Sequence, residues 1–195
     1  MFKTILEWKF NLRSTSKDFK ADVINYLDTS SLTSNQMTEL QKIDTKQDPI
    51  PSRAQRVVNK NDILYSTVRP NQCHFGIVKI PKNNMIASTG FAQMTSIVDD
   101  IKNEFIYLFL SSETIVNRLH QIASSAVSAY PSVSPNDILD LQIALPNELR
   151  LLKVISDFLE PIFLKIAKKQ QENQQLAILR DWLLPMLMNG QIKVK

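Results

Sequence analysis

The stretch "NELRLLKVISDFLEPIFLKIAKKQQENQQLAILRDWLL", residues 147 to 184, contains no glycine and is rich in Leu, Lys, Glu and Gln. It predicts a single long helix, which at roughly 1.5 Å per residue extends about 55 Å before Pro185, further than a small domain needs. Its register steps alternately by three and four through Leu152, Ile155, Leu159, Ile162, Ile166, Lys169, Asn173, Leu176, Arg180 and Leu183. That is a heptad seam with a polar middle. Apolar ends around a polar centre suit an antiparallel partner, and Asn173 on the seam lowers stability while favouring one register. Pro161 removes a backbone donor and predicts a kink in the first third. The competing reading packs the helix back onto its own domain, but residues beyond 166 have no evident core left to cover.

Upstream, residues 1–147 read as a mixed domain. "DVINYLD", "DILYSTV", "HFGIVKI" and "MIASTGFAQM" are short, rich in β-branched and aromatic residues, and bounded by turn-forming residues, so each predicts a strand. In "NEFIYLFLSSETIVNRLHQIASSA" the apolar residues recur at helical steps, and Ser111-Ser112 predicts a break into two helices. In "SPNDILDLQIALP", Ser134 caps a short helix with Pro135 first and Asp137 third, a capping box with Asp in place of Glu. A strand, "LQIAL", is expected to follow and to close at Pro146. The fold class is therefore α+β, with the domain boundary between residues 147 and 148.

The composition narrows the function. The chain has 195 residues, with 44% hydrophobic and 22% charged, which is ordinary for a globular protein with a real core. Three glycines leave no G-x-x-x-x-G-K-[ST] and no G-x-G-x-x-G nucleotide loop. The single cysteine, Cys73, excludes an internal disulfide or a cysteine zinc site and fits a reducing compartment. No apolar run reaches membrane-spanning length and no signal-peptide core is present, so a cytoplasmic protein is expected. Net charge is +4, yet residues 42 to 82 alone carry eight bases against three acids. A basic excess beside strands is the footprint of a nucleic-acid groove, although a solvated loop would look the same.

In this setting "PSRAQRVVNKNDILYSTVRP", "IASTGFAQM", "ASSAVSAYPSVSPNDILDLQIALP" and "LRDWLLPMLMNGQIKV" appear in order along nearly the whole chain. In that order they resemble a specificity subunit of a type I restriction-modification system. Such subunits usually carry two target-recognition domains and two long helices on one chain about twice as long, so this chain resembles a half-subunit. The resemblance implies a protein without chemistry or cofactor of its own. It would read half of a bipartite site on double-stranded DNA and hold adenine methyltransferase subunits, with nucleolytic translocating subunits as further partners. The paired helices would act as a ruler: a rod of about 55 Å separates two readers by more than one turn of DNA, about 34 to 36 Å. A homodimer through the helix is expected, its seam formed by Leu152, Ile155, Leu159, Ile162, Ile166, Asn173, Leu176 and Leu183.

The candidate DNA contacts follow from side-chain chemistry. Arg69, at the lip of a predicted sheet, offers a fork that fits guanine O6/N7 or a phosphate, and as part of a family motif it suits phosphate better than a variable base. A carboxylate partner pinning the turn before Pro70 would leave the same sequence. Lys46, Arg53, Arg56 and Lys60 fall between predicted strands and read as phosphate contacts or as solvated charge. The hydroxyl-rich run containing Ser125 and ending at Tyr130-Pro131 can bond phosphates or form a packed turn. "STGF" reads as structural, with Gly90 permitting close backbone approach and Phe91 packing.

Enzyme readings find little support. Cys73 and His74 are neighbours on a predicted strand and point to opposite faces, and His120 is distant. Carboxylates and histidines do not fall at metal-ligand spacing. An adenine methyltransferase would want an N-P-P-[YF] or D-P-P-[YF] loop, which the chain lacks. The reading from another class is a non-DNA interaction module that docks a partner through the long helix.

Overall fold

The computed structural model describes residues 9–10, 21–96, 101–125, 131–143, 145–146 and 148–191. Strands come first: β1 (Lys9–Phe10), β2 (Val23–Leu27), β3 (Leu32–Thr33), β4 (Gln36–Met37), β5 (Gln41–Asp44), β6 (Ala54–Val57), β7 (Ile63–Ser66), β8 (Phe75–Ile77), β9 (Met85–Ser88) and β10 (Phe91–Thr95). Helices follow: α1 (Asn103–Leu110), α2 (Glu113–Ser125), α3 (Pro135–Leu139) and α4 (Leu149–Met188). One sheet has the order β1-β10-β7-β8 and a second the order β5-β2-β9-β6, while β3 and β4 form a separate hairpin.

Alternation along the strands builds the layers. Ile63 and Tyr65 of β7, with Ala92 and Met94 of β10, face a core shared with the helices. Leu64 and Phe91 point the other way, into a core shared with Leu27, Met85 and Ala87 of the second sheet. Ile24, Tyr26 and Ile86 line the far face of that second sheet. The order is helices, sheet, sheet, so β7 is buried on both faces.

Polar anchors fix α1 to these sheets. Lys79, just beyond β8, forms an ion pair with Glu104 in the first turn of α1, and both side chains are 2% exposed. Lys79 Nζ also donates to Asn61 Oδ1 at 2.7 Å. Gln93 Nε2 donates to Asp62 Oδ2 at 2.6 Å, and burial raises the Asp62 carboxyl despite bonds from Asn59 and Gln93.

The expected breaks and caps are present. Helix α1 ends before Ser111-Ser112, and Ser134 with Asp137 forms a complete capping box at α3. Other expectations are corrected. "MIASTGFAQM" is two strands in different sheets, because Thr89-Gly90 carries the chain from one sheet to the other. "LQIAL" is not a strand among its described residues. Leu141 packs into the helix-side core instead, and Leu145 lies against it.

Helix α4 also departs from expectation. It runs through Pro161 and past Pro185 to Met188, 40 residues or about 60 Å. Leu152, 1% exposed, lies in the chain's own core, as does Phe163, whose ring meets Tyr107 edge-on at 5.5 Å. Beyond residue 166 the helix still meets its domain: Gln170 and Gln174 donate to the backbone of the β3–β4 hairpin. An adjacent stripe nevertheless stays open, with Ile155, Phe158, Ile162, Ile166 and Leu176 all exposed.

Candidate nucleic-acid interface

The pairing of the second sheet determines which loops share an end. β2 and β9 run parallel with Leu27 opposite Ala87, while β6 runs antiparallel with Ala54 opposite Ser88. The ends of β2 and β9 therefore meet the start of β6. After the crossing at Thr89-Gly90, Phe91 begins β10 opposite Ser66, the last residue of β7. The end of β7 joins the same lip.

Backbone bonds tie this lip together. The Thr89 amide donates to the Arg53 carbonyl at 2.8 Å, and the Thr67 amide and hydroxyl donate to the Gly90 carbonyl at 2.9 and 3.0 Å. The Arg69 amide donates to Pro131 at 2.9 Å, the Val133 amide to Thr67 at 2.8 Å, and Val68 bridges Ser132. A Cβ on Gly90 would stand 2.8 Å from Thr29 Cγ2, so a larger residue there would force the Thr29 side chain or the crossing to shift. The motifs STVRP and STGF thus meet the PSV stretch, residues 131–133, at one place.

Two arginines present themselves there. Arg69 is exposed and held at φ 48°, a left-handed backbone that such residues seldom adopt. The turn before Pro70 is pinned by backbone bonds, and among the described residues neither Arg69 nor the exposed Arg53 forms an ion pair. Arg56, on β6, is half-buried with its Nε unpartnered, and burial lowers its guanidinium pKa.

Sequence reasoning missed the group beside Arg53. Tyr26 donates its hydroxyl to Asp28 at 3.2 Å, and the Ser30 hydroxyl donates to the same carboxylate at 3.0 Å. Burial raises Asp28, but the bonds from Ser30, the Thr29 amide and Tyr26 outweigh it and hold the carboxyl below its ordinary value. Burial raises the Tyr26 hydroxyl, with Arg53 acting in the opposite direction. These residues lie outside the basic stretch, so charge counting gave no signal for them.

The remaining sequence candidates do not gather at the lip. Lys46 follows β5 at the opposite end of the sheet, 2.9 Å from Asp22. Lys60 is exposed in the turn after β6, near enough to Glu160 to help lower its carboxyl, chiefly the work of Lys102. Ser125 ends α2, its hydroxyl donating to the Ile122 carbonyl at 2.8 Å, and α2 packs against the Pro70–Gln72 turn. Tyr130 lies outside the described residues. His74 is occupied structurally, with Nδ1 2.9 Å from the Leu32 carbonyl oxygen and 3.0 Å from Thr33 Oγ1. Among the described residues no group of three His, Cys, Asp or Glu side chains could hold a metal ion, and no helix is long and apolar enough to cross a membrane.

A lip formed by strand ends of two sheets, with a long helix packed beside the domain, is an arrangement found in known proteins. Residues 9–177 match the family described as type I restriction modification DNA specificity domain, and the chain belongs to that family. Among its relatives is the type I restriction enzyme HindI specificity subunit of Haemophilus influenzae, 26% identical over 140 residues that make up 69% of this chain and 30% of that one. Another is the putative type I restriction enzyme MjaX specificity subunit of Methanocaldococcus jannaschii, 27% identical over 72% of this chain and 31% of that one. The fold is also that of the HsdS subunit from Thermoanaerobacter tengcongensis, with a TM-score of 0.61, 24% identity, and coverage of 91% of this chain and 44% of that one. A chain from a structure of the type I R-M system gives a TM-score of 0.59 at 21% identity, covering 98% of this chain and 49% of that one. The chain therefore spans less than half the length of each of these relatives.

Proposed function

We propose that this chain is a DNA-reading specificity subunit of a type I restriction-modification complex. The lip recognises one half of a bipartite site on double-stranded DNA, and α4 holds it at a set distance from a second reader. Residues 1–147 act as the target-recognition domain and residues 148–195 as the spacer and dimerisation helix. The exposed stripe of α4 pairs antiparallel with a second copy. The partners are adenine methyltransferase subunits and, in the full complex, restriction subunits. The chain takes no cofactor, performs no catalysis itself, and works in the cytoplasm.

The observation that carries this reading is the convergence of Arg53 and Arg69 at one lip, both exposed and without a described carboxylate partner. An unneutralised fork on a pinned loop is suited to a phosphate or to guanine O6/N7. Arg56 and Tyr130 complete the contact in this reading, while Lys46, Lys60 and Ser125 reach only flanking phosphates.

Single-molecule sequencing of methylated adenine in host DNA, with and without the gene, tests the proposal. Loss of a gapped inverted-repeat motif on deletion is expected, because a two-fold dimer requires a symmetric site. Loss of an asymmetric motif would replace the homodimer with a pair of different readers. An unchanged methylome would turn the reading toward an interaction module.

A further inference from the structure

Helix α4 is fastened to its domain at two places. Near its start, Lys102 Nζ reaches Asp157 at 2.6 Å and Glu160 at 2.7 Å, and Phe163 rests on Tyr107. Further on, Gln170 Nε2 donates to the Asn35 carbonyl at 3.0 Å and Gln174 Nε2 to the Met37 carbonyl at 2.6 Å. Among the described residues these are the only hydrogen bonds from α4 beyond Glu160 to the rest of the chain.

Two glutamines four residues apart lie on one face of a helix, about 6 Å apart in rise, and here one meets the carbonyl of the turn residue Asn35 and the other that of Met37 in β4. Ala167, three residues before Gln170, lines with both glutamines a cavity between α4 and the hairpin.

The hairpin itself is rigidly seated. Ser34 and Asn35, at φ 45° and 64°, make the left-handed pair of a two-residue hairpin turn. The Ser34 amide donates to Cys73 at 2.8 Å, the Asn35 amide to Phe75 at 2.9 Å, and Asn35 Oδ1 accepts from the Ile77 amide at 2.9 Å. A Cβ on Gly76 would stand 2.9 Å from Leu32 Cδ1 and 3.1 Å from Asn35 Oδ1, so the turn lies directly on β8. β8 pairs with β7, and Arg69 is three residues beyond the end of β7. A continuous path therefore runs from the lip through β7, β8 and the hairpin to the rod.

We infer that Gln170 and Gln174 are positioning residues that fix the angle of the reading lip on the rod, and thereby the spacer length of the bipartite site. This rests on the DNA-reading function proposed above. The first fastening, from Leu152 to Phe163, lies towards one end of the 40-residue helix, so the second fastening is what resists a swivel about that end. One base-pair step is about 3.4 Å, so a swivel of a few ångströms at the lip admits a spacer one step longer or shorter.

The test uses the full chain with Gln170→Glu and Gln174→Glu together, which keep shape but lose the donors, beside Gln170→Lys and Gln174→Lys, which keep donors. Pulsed electron-spin distances are measured between labels at Ser30→Cys and Met188→Cys in a Cys73→Ser background, diluted with unlabelled chain, and host adenine methylation is mapped in parallel. The expected result is a broadened distance distribution and an added class of methylated sites with altered spacer in the Glu pair, with both narrowed again in the Lys pair. An unbroadened distribution in the Glu pair overturns the inference whatever the DNA result. Broadening with an unchanged spacer overturns the link to site spacing. If the unaltered gene yields no gapped motif, the proposed DNA-reading function fails instead, and the distance measurement alone decides whether the glutamines fix the angle.

Discussion

The two long faces of α4 have similar composition and different surroundings. One carries Leu152, Ser156 and Phe163, all buried against the domain; the neighbouring one carries Val154, Ile155, Phe158, Ile162 and Ile166, all exposed, with Phe158 68% open to solvent. Both are apolar at helical steps, so periodicity alone cannot say which face turns toward the chain's own core. What separates them is the polar anchoring around the buried face: Ser156 Oγ accepts from the Lys102 amide at 3.2 Å, and Gln170 and Gln174 meet backbone carbonyls. The stripe left open is the surface that the proposed pairing of α4 would cover.

If the buried face rests on a rigid base, disturbing that base should have the greatest effect. Glu104→Ala leaves Lys79 charged and unpaired between α1 and the sheet, and removing one member of a buried pair costs about 3–5 kcal/mol. Urea unfolding should show a loss of that size, and a loss under about 1 kcal/mol would mean that water reaches the pair. Phe163→Ala is expected to cost about 3 kcal/mol by the same measurement, from lost burial, the cavity left behind and the edge contact to Tyr107. Phe158→Ala should stay within about 0.5 kcal/mol in the single chain. Equal losses at the two phenylalanines would erase the distinction between the faces.

The sequence made the local features legible. β2, β7 and β8 alternate or run apolar as buried strands do, Ser111-Ser112 interrupts a helical pattern, and Ser134 with Asp137 spells a cap. The β3–β4 hairpin escaped because its two-residue strands carry no usable periodicity, and its turn uses Ser34-Asn35 rather than a glycine pair. Leu141 and Ile143 alternate like a strand, yet Leu141 serves packing under the helices rather than pairing. At the lip, Arg53 and Arg69 stood out by charge and motif. Their convergence did not, because it depends on the parallel pairing of β2 with β9 and on the crossing at Gly90, which no local pattern encodes. For the same reason Asp28 and Tyr26 stayed hidden.

The exposed face is sharpened by a substitution that spares the fold. Phe158→Asp should leave urea unfolding of the dilute chain nearly unchanged while abolishing, in sedimentation, the dimer proposed to form through this stripe. A charge in the exposed apolar stripe is costly only where a partner covers it. A dimer that survives Phe158→Asp would place the contact elsewhere on the chain.

The smallest effect is expected where the two faces meet, at Lys102. Its bond to Asp157 holds that exposed carboxyl below its ordinary value, and its bond to Glu160 does the same, more than offsetting that side chain's partial burial. A carboxyl with a lowered folded pKa contributes stability that is present above its unfolded pKa and lost as pH falls through its folded pKa. Thermal unfolding of the unaltered chain and of Lys102→Met should therefore differ at pH 7 and converge in acid, below the ordinary carboxylate range. Because these side chains are partly open to water, the difference should also shrink in high salt. A pH-independent gap would mean that the lysine stem, packed along the helix, matters more than its charge, and the seat of α4 would then be apolar along its whole first half.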